Sequence, residues 1–417
     1  MAMKVINNSA IYLGSSILNK ALPFLLLPVL TKYLTPEEFG VLAIFQLMIS
    51  FFTAFIGMNM PMNVSKNFFK YSKDQLSLMI GNILIILCFT LSIYSLTIGI
   101  VSFYYENLFS VPINWIIIIP FISFMLMMNS MNLTILRNEE KALLYGFFEV
   151  SNTAINMAVT LVLLLLYNWG WHASAVGIIT AYAVFSLISM LYMNKNNYIN
   201  FTYKKTEIKK VLKLSVPLIP HVIGGVIIGL SDRFFIENMI SLEMVGIYSV
   251  GYTFGMVVIL FTDAFIKAWS PWFYSMLANP TLKKKQSIVK FSYLYIIATF
   301  AIALGISYLA EYILPYVVDD RYYGASEFIF WVAIGYAVHG VYKIFFPYLV
   351  HINKTAFLGL STIIAATLNL ILNYILINEY GAIGAAYATL FSFLVSAILV
   401  FWYQNKNYKM PWLKSKI

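Results

Sequence analysis

Stretches of about twenty residues, almost wholly apolar, recur along this chain from one end to the other, with LVLLLLY (161–167) inside one of them. At about 1.5 Å per helical residue, each is long enough to cross a hydrocarbon layer of roughly 30 Å. Within such a layer every backbone N–H and C=O must find its partner inside the protein, which leaves helices and closed barrels. A barrel would show short segments of alternating polarity, and runs such as LVLLLLY do not alternate. The chain is therefore predicted to be an all-α polytopic membrane protein. Its charge content agrees: 11% of 417 residues are charged and 61% are hydrophobic, whereas soluble domains carry about 25% charged residues. The opening MAMKVINNSAIYLGSSILNK reads as an uncleaved first span. Asn7, Asn8 and Lys20 interrupt any signal-peptide core, and no small-residue cleavage site follows. Cys88, the one cysteine, has no partner for a disulfide or a metal site and reads as a packing residue.

Apolar windows separated by charged or Gly/Pro-bearing breaks predict twelve transmembrane helices, at 6–31, 39–64, 76–104, 113–136, 142–168, 174–193, 214–236, 244–277, 288–314, 326–350, 356–377 and 382–403. With the N-terminus placed in the cytoplasm, 21 of the 27 Lys and Arg residues fall in inner segments, and only Lys32 and Arg321 in outer ones. Both termini are then cytoplasmic, as the positive-inside rule expects. The net charge of +10 is thus a topology signal, and no nucleic-acid partner is implied. The basic stretch 204–213 divides a six-helix bundle at 1–203 from a second at 214–417, which ends in a short basic cytoplasmic tail.

The two halves echo one another. YLTPEEFGVLAIF (33–45) follows the first span and MISLEMVGIYSVGYTF (239–254) follows the seventh, aligning Gly40 with Gly246 at an offset of 206. Phe185 in FSLIS and Phe391 in FSFLVS share that offset, and the fifth and eleventh spans each carry an Asn pair at i, i+4. An even number of spans per half makes the repeats parallel, and two parallel bundles around a central cavity are a transporter architecture. YLTPEEFGVLAIF, LSDRFFIENMISLEMVGIYSVGYTF (230–254) and NEYGAIGAAYATLFSF (378–393) are similar to the polysaccharide transporter family, which includes the Wzx-type O-antigen and exopolysaccharide flippases. That family lies within the superfamily of multidrug extruders (MATE) and lipid II flippases, and the resemblance spans essentially the full chain. Twelve spans fit Wzx-type and multidrug members better than lipid II flippases, which usually carry fourteen.

Charges inside the spans are the candidate site. Four cations, Lys20, Arg233, Lys267 and Lys343, and three acids, Glu149, Asp232 and Asp263, fall within predicted helices. A charge facing lipid at mid-bilayer costs at least about 2.5–3.5 kcal/mol, so these residues are expected to face a hydrated interior or one another. His221, Gly225, Gly229 and Arg233 form one stripe at four-residue spacing, and Gly335, His339, Lys343 and Pro347 form another. Ser16 lies one turn before Lys20. Asp263 and Lys267 are one turn apart and able to pair. Asp232 and Arg233 are adjacent, point about 100° apart and cannot share a stripe. Arg233 could reach the outer interface. Lys20 and Lys343 have no acid within a turn. His221 and His339 read equally as packing residues or proton carriers. The pairs Asn152/Asn156 and Asn369/Asn373 read as interhelical hydrogen-bond glue or as cavity lining.

An interior with more fixed cation than anion suits an anionic cargo, because Lys and Arg bind phosphate. Together with the resemblance, this predicts a flippase. It would move an undecaprenyl-diphosphate-linked glycan repeat unit, of O-antigen or a related surface polysaccharide, from the inner to the outer leaflet of a bacterial cytoplasmic membrane by alternating access. The cations would attract the diphosphate, and Asp232, Asp263 or Glu149 could take a coupling H⁺ or Na⁺. No other cofactor, no metal and a monomer are expected, with membrane lipids and other polysaccharide assembly proteins as partners. Two other functions stay open. A multidrug/cation antiporter of the same superfamily would want more carboxylates than bases. A membrane glycan polymerase or ligase would want a sizeable outward loop and a catalytic cluster, and neither is seen. The chain is expected not to be an enzyme.

Overall fold

The computed structural model describes residues 2–352 and 354–412, the side chains at 2–10, 13, 16, 17, 20, 23, 108, 218 and 221 excepted. The chain is nearly all helix. A two-stranded ribbon, Asn107–Leu108 with Val111–Pro112, interrupts it. Among the described residues, ten helical segments are long and apolar enough to cross a membrane. The chain divides into two compact units, 1–223 and 224–417.

The first unit holds α1 (Ala2–Tyr33), α2 (Pro36–Gly57), the short α3 (Pro61–Asn67), α4 (Lys73–Val101), α5 (Ile113–Asn138), α6 (Ala142–Tyr167), α7 (Trp171–Lys195) and α8 (Lys205–Ser215). Here α5 is central and packs on α2, α3, α4 and α7, while α6 lies between α1 and α7. The basic stretch expected as a plain connection is helix α8, seated on α4. Gly81 on α4 lets the segment leading into α8 pass close, since any Cβ there would strike the backbone of Asn200.

One end of this unit is tied by Glu139. Its Oε1 accepts from Tyr198 Oη at 2.7 Å, its Oε2 accepts from Tyr192 Oη at 3.1 Å, and Lys141 Nζ lies 3.1 Å from Oε2. Burial alone would raise the Glu139 carboxyl, but these donors outweigh it and hold it below the ordinary carboxylate value. A folded value below the unfolded one means that the stabilisation is present at neutral pH. It is lost as pH falls through the ordinary value of about 4.3 and then the lower folded value. Glu139→Gln is expected to cost about 1–2 kcal/mol at pH 7. The melting temperatures of variant and parent should converge as the pH is lowered through that window.

The second unit contains α9 (Ile219–Leu230) from Gly224 onward, then α10 (Asp232–Met239), α11 (Leu242–Gly255), α12 (Val258–Ala278), α13 (Leu282–Val317), α14 (Ser326–His351), α15 (Ala356–Tyr380) and α16 (Ile383–Asn407). Its centre is α14, which packs on α11, α12, α13 and α16. Helix α15 lies against α16, and α10 touches α11, α15 and α16. Gly251 and Gly255 let α11 approach this centre, because a Cβ at either would meet Ala325 or Val332.

The starts of α2 and α11 share a chemistry at the offset of 206. Thr35 Oγ1 accepts from Glu38 N, and Ser241 Oγ accepts from Met244 N, each capping its helix. Phe185 is buried (2% exposed) whereas Phe391 is 47% exposed, so the second sequence echo does not extend to the packing of those rings.

The predicted seventh span, 214–236, is not one continuous helix. Helix α9, 12 residues, and helix α10, 8 residues, meet at Ser231. Two carbonyls that an unbroken helix would give to the N–H groups of Asp232 and Arg233 accept from side chains instead. Thr389 Oγ1 donates to Ile228 O at 3.5 Å, and Tyr252 Oη donates to Gly229 O at 2.8 Å. The ladder passes through a tighter bond, Phe234 N to Ser231 O at 3.0 Å. The eighth span is likewise two helices, α11 and α12. The first span is helical, but its side chains are only partly described.

Candidate functional site

The break at Ser231 is where the second unit gathers its polar side chains. Asp232 is fully buried, and its Oδ2 accepts from Tyr248 Oη at 2.5 Å and from Thr389 Oγ1 at 3.2 Å. Among the described residues its Oδ1 has no hydrogen-bond partner. Beside it, Ser231 Oγ donates to Asn369 Oδ1 at 2.8 Å and Asn373 Nδ2 donates to the same oxygen at 3.1 Å. Both Asn side chains are fully buried, and Asn369 Nδ2 and Asn373 Oδ1 have no partners among the described residues. Among the described residues, these three unpartnered polar atoms lie together beside the helix break, on α10 and α15. The Asn369/Asn373 pair does bridge helices, as a hydrogen-bond glue would. It also places the Asn373 carboxamide oxygen, unpartnered among the described residues, in the same cluster as the carboxylate.

Arg233 is nearly buried, 6% exposed. Its guanidinium carbon lies 4.4 Å from the centroid of the Tyr252 ring, and Nη1 donates to Gly229 O at 3.5 Å. Tyr252 Oη and Tyr336 Oη are 2.6 Å apart, which extends the network to α14. Among the described residues Arg233 makes no direct ion pair. A cation held on a π face with few other partners keeps most of its donors available.

Lys343 is held differently. Its Nζ lies 2.6 Å from Asp263 Oδ1, with 17% and 31% of the two side chains exposed. The partner that Lys343 lacked within its own helix comes from α12, eighty residues earlier. Asp263 thus has an interhelical partner in Lys343, and Lys267, the helical neighbour that its spacing suggested, is exposed within its unit. His339 lies among rings, 4.5 Å from the Phe393 centroid and 5.7 Å from that of Tyr342, both nearly parallel to it. That environment fits its packing reading.

Polar residues in the first unit line a cavity of about 140 Å³ that includes Asn19, Asn129, Ser130, Glu149, Asn152 and Tyr182. Glu149 Oε1 accepts from Tyr145 Oη at 2.9 Å, Asn152 Nδ2 donates to Ala181 O at 3.2 Å, and Thr153 bonds Asn19. Asn156 accepts from Thr160 at 3.3 Å. Lys20, Ser16 and His221 lie on described helices, but their side chains are outside the described residues.

The structure therefore brings together Asp232, Arg233, Asn369 and Asn373 around one helix break, joins Lys343 to Asp263, and places Glu149 and Asn152 in a separate cavity of the first unit. Sequence reasoning missed Tyr248, Tyr252, Tyr336, Thr389 and Ser231. Tyr248 and Tyr252 were legible as an i, i+4 pair in GIYSVGYTF, one turn apart on the face that meets the break. Among the described residues no group of three or more His, Cys, Asp and Glu is placed to hold a metal ion.

The fold is that of multidrug transporters and lipid flippases. The chain resembles an inward-facing multidrug resistance MATE transporter of the MOP superfamily at a TM-score of 0.71 and 14% identity, covering 93% of this chain and 94% of that one. It resembles the lipid II flippase MurJ in an inward closed conformation at a TM-score of 0.71 and 14% identity, over 95% of this chain and 87% of that one. These likenesses are of fold. The sequence profile of the family described as polysaccharide biosynthesis protein matches residues 5–277, and the chain belongs to that family. Among curated relatives, an Lsg locus protein of Haemophilus influenzae is 26% identical over 87% of this chain and 90% of its own length. A Haloferax volcanii protein named as a probable low-salt glycan biosynthesis flippase, Agl15, is 27% identical over 42% of this chain and 38% of its own.

Proposed function

We propose that this protein is a flippase that carries an undecaprenyl-diphosphate-linked oligosaccharide repeat unit from the cytoplasmic to the outer leaflet of a bacterial cytoplasmic membrane. Twelve spans in two parallel six-helix repeats, both ends cytoplasmic, are part of this reading. The two capped helix starts 206 residues apart support the repeat. So does the neighbour order inside each unit, where the fourth span of each half (α5, α14) is the centre and the fifth and sixth (α6 and α7, α15 and α16) pack side by side. Family membership supports the cargo class. The transport step is alternating access of the two halves, and one chain, supplying both, acts as a monomer.

The observation that carries the reading is Arg233, a nearly buried guanidinium in a membrane helix, seated on an aromatic face with no direct ion pair among the described residues. The neighbouring Asp232 carboxylate offsets part of the cost of burying that cation, and a diphosphate is bound well by its planar fork of donors. Lys343 and Lys267, with Lys20, would add to the attraction. The Lys343–Asp263 pair gives the cargo a competitor to displace. Asp232, with its orphan Oδ1 and the carboxamide oxygen of Asn373 nearby in the network, is the first candidate for the coupling H⁺ or Na⁺, ahead of Asp263 and Glu149.

The test uses proteoliposomes holding the full chain and a fluorescent undecaprenyl-diphosphate oligosaccharide, with translocation read by loss of outer-leaflet accessibility. Arg233→Ala should slow it by roughly tenfold or more, as expected for loss of a charged contact to phosphate. Wild-type rates in that variant, at equal protein content, would remove Arg233 from cargo binding, and no translocation by the parent chain would defeat the reading as a whole.

A further inference from the structure

Six exposed lysines crowd one end of the first unit without entering the site above: Lys66 on α3, Lys70 just after it, and Lys205, Lys209, Lys210 and Lys213 on α8. Helix α8 is amphipathic. Val211 and Ser215 are buried, and Ile208 and Leu212 pack on a core that includes Met79, Ile83 and Tyr198. The helix is also pinned. Asn82 Nδ2 donates to Thr202 O at 3.0 Å and its Oδ1 accepts from Lys204 N at 2.9 Å, while Asn200 N donates to Ser77 O at 3.2 Å. At the other end Asn63 Nδ2 donates to Ser215 Oγ at 2.7 Å. The lysines are therefore presented on a fixed scaffold and not on a loose connection.

Between α3 and α8 lies a recess of about 180 Å³, lined among others by Asn63, Lys66, Asn67, Tyr71, Glu207 and Lys210. Glu207 pairs with Lys210 at 2.7 Å, and the other five lysines keep this end of the unit positive. Its level in the membrane follows from the chain. Helix α2 ends, α4 begins and α7 ends at this same end of the first unit, and in the topology proposed above that end lies where hydrocarbon gives way to headgroups. Large apolar side chains stand out among the lysines: Phe69 is 79% exposed, Phe201 56% and Tyr203 64%. A surface built for a soluble anion has no use for them. Aromatic and aliphatic groups interleaved with lysine suit the boundary between acyl chains and phosphates.

We infer that this recess and its lysine rim bind the phosphate headgroup of an anionic glycerophospholipid in the adjoining leaflet. Lysine clusters beside spans and basic pockets between helices recognise such headgroups by charge. Phe69 and Phe201 would rest on the acyl region while the ammonium groups meet phosphate. The inference does not depend on the cargo proposed above.

The test titrates the purified full chain with phosphatidylglycerol, phosphatidylcholine, inorganic phosphate and undecaprenyl diphosphate, reading bound lipid by native mass spectrometry. Saturable binding of phosphatidylglycerol is expected, with phosphatidylcholine and inorganic phosphate much weaker. The K66Q/K209Q/K213Q variant should bind phosphatidylglycerol roughly 10- to 100-fold more weakly. K283Q/K284Q/K285Q, which removes three lysines from the second unit, should bind like the parent and serves as the folding control. Equal binding of the two phospholipids, or undiminished binding by the first variant, would overturn the inference. Undecaprenyl diphosphate outcompeting phosphatidylglycerol through the same lysines would reassign the surface to an isoprenoid diphosphate and equally defeat it. Flipping by the first variant in phosphatidylcholine vesicles should stay near the parent rate, which separates this outcome from a failure of the transport reading.

Discussion

Asp232→Asn is expected to yield a folded protein whose transport falls by roughly 100-fold and no longer responds to the coupling ion. The side chain is fully buried, and one oxygen is already committed to Tyr248 and Thr389. Asparagine keeps the shape and can keep its carbonyl as acceptor for those two hydroxyls, so the break at Ser231 retains its bonds. What it removes is the negative charge and the orphan Oδ1. An ion that biases the two states of a transporter must bind one of them more tightly, and a 100-fold effect corresponds to about 2.7 kcal/mol of such preference. Alanine is the harsher comparison. It strands the Tyr248 and Thr389 hydroxyls in a buried site, each at a cost of about 1–3 kcal/mol, so Asp232→Ala should lose melting temperature as well as transport. The decisive measurement is the Na⁺ and pH dependence of flipping in Asp232→Asn. A variant that transports at the parental rate with the parental ion dependence would take Asp232 out of coupling and leave it a structural acceptor.

Much of this fold is legible in the amino-acid sequence. Hydropathy and lysine placement mark most of the spans because a membrane helix must satisfy its backbone alone, and that demand is written locally in composition. Adjacent charges at 232 and 233 stand out for the same reason. Where each charge finds its partner is not written locally. Lys343 has no acid within a turn, and its carboxylate comes from Asp263 on a helix eighty positions away, a meeting fixed by tertiary packing. The stripe through Gly225, Gly229 and Arg233 shows the opposite limit. Its spacing is regular, but Gly225 has open space around it while Gly229 gives its carbonyl to Tyr252. Small residues in one row thus serve different ends. The break in the seventh span is hidden too, because nothing in GLSDRFF violates helix propensity strongly. The break is made by hydroxyls of α11 and α16 that compete for its carbonyls, and propensity does not contain them.

The Lys343–Asp263 pair should show a large effect on stability, and the same variants separate holding the fold from moving the cargo. The pair is interhelical, 2.6 Å long and mostly shielded from solvent. Removing one member of a shielded pair leaves a charge in a poor environment, whereas removing both can be nearly neutral. Lys343→Met and Asp263→Asn should each lower stability, by about 1–3 kcal/mol once partial exposure is allowed for. The double variant should recover most of that loss, giving a coupling of at least about 1 kcal/mol in a double-mutant cycle read by thermal melting in detergent. Transport should behave otherwise. If Lys343 exchanges Asp263 for an anionic cargo, the double variant regains its fold but not its flipping, because no cation remains to make the exchange. Arginine at 343 preserves the charge and should retain part of the activity. A double variant that melts and transports like the parent would reduce the pair to scaffolding, and the cationic path for the cargo would then rest on Arg233, Lys267 and Lys20.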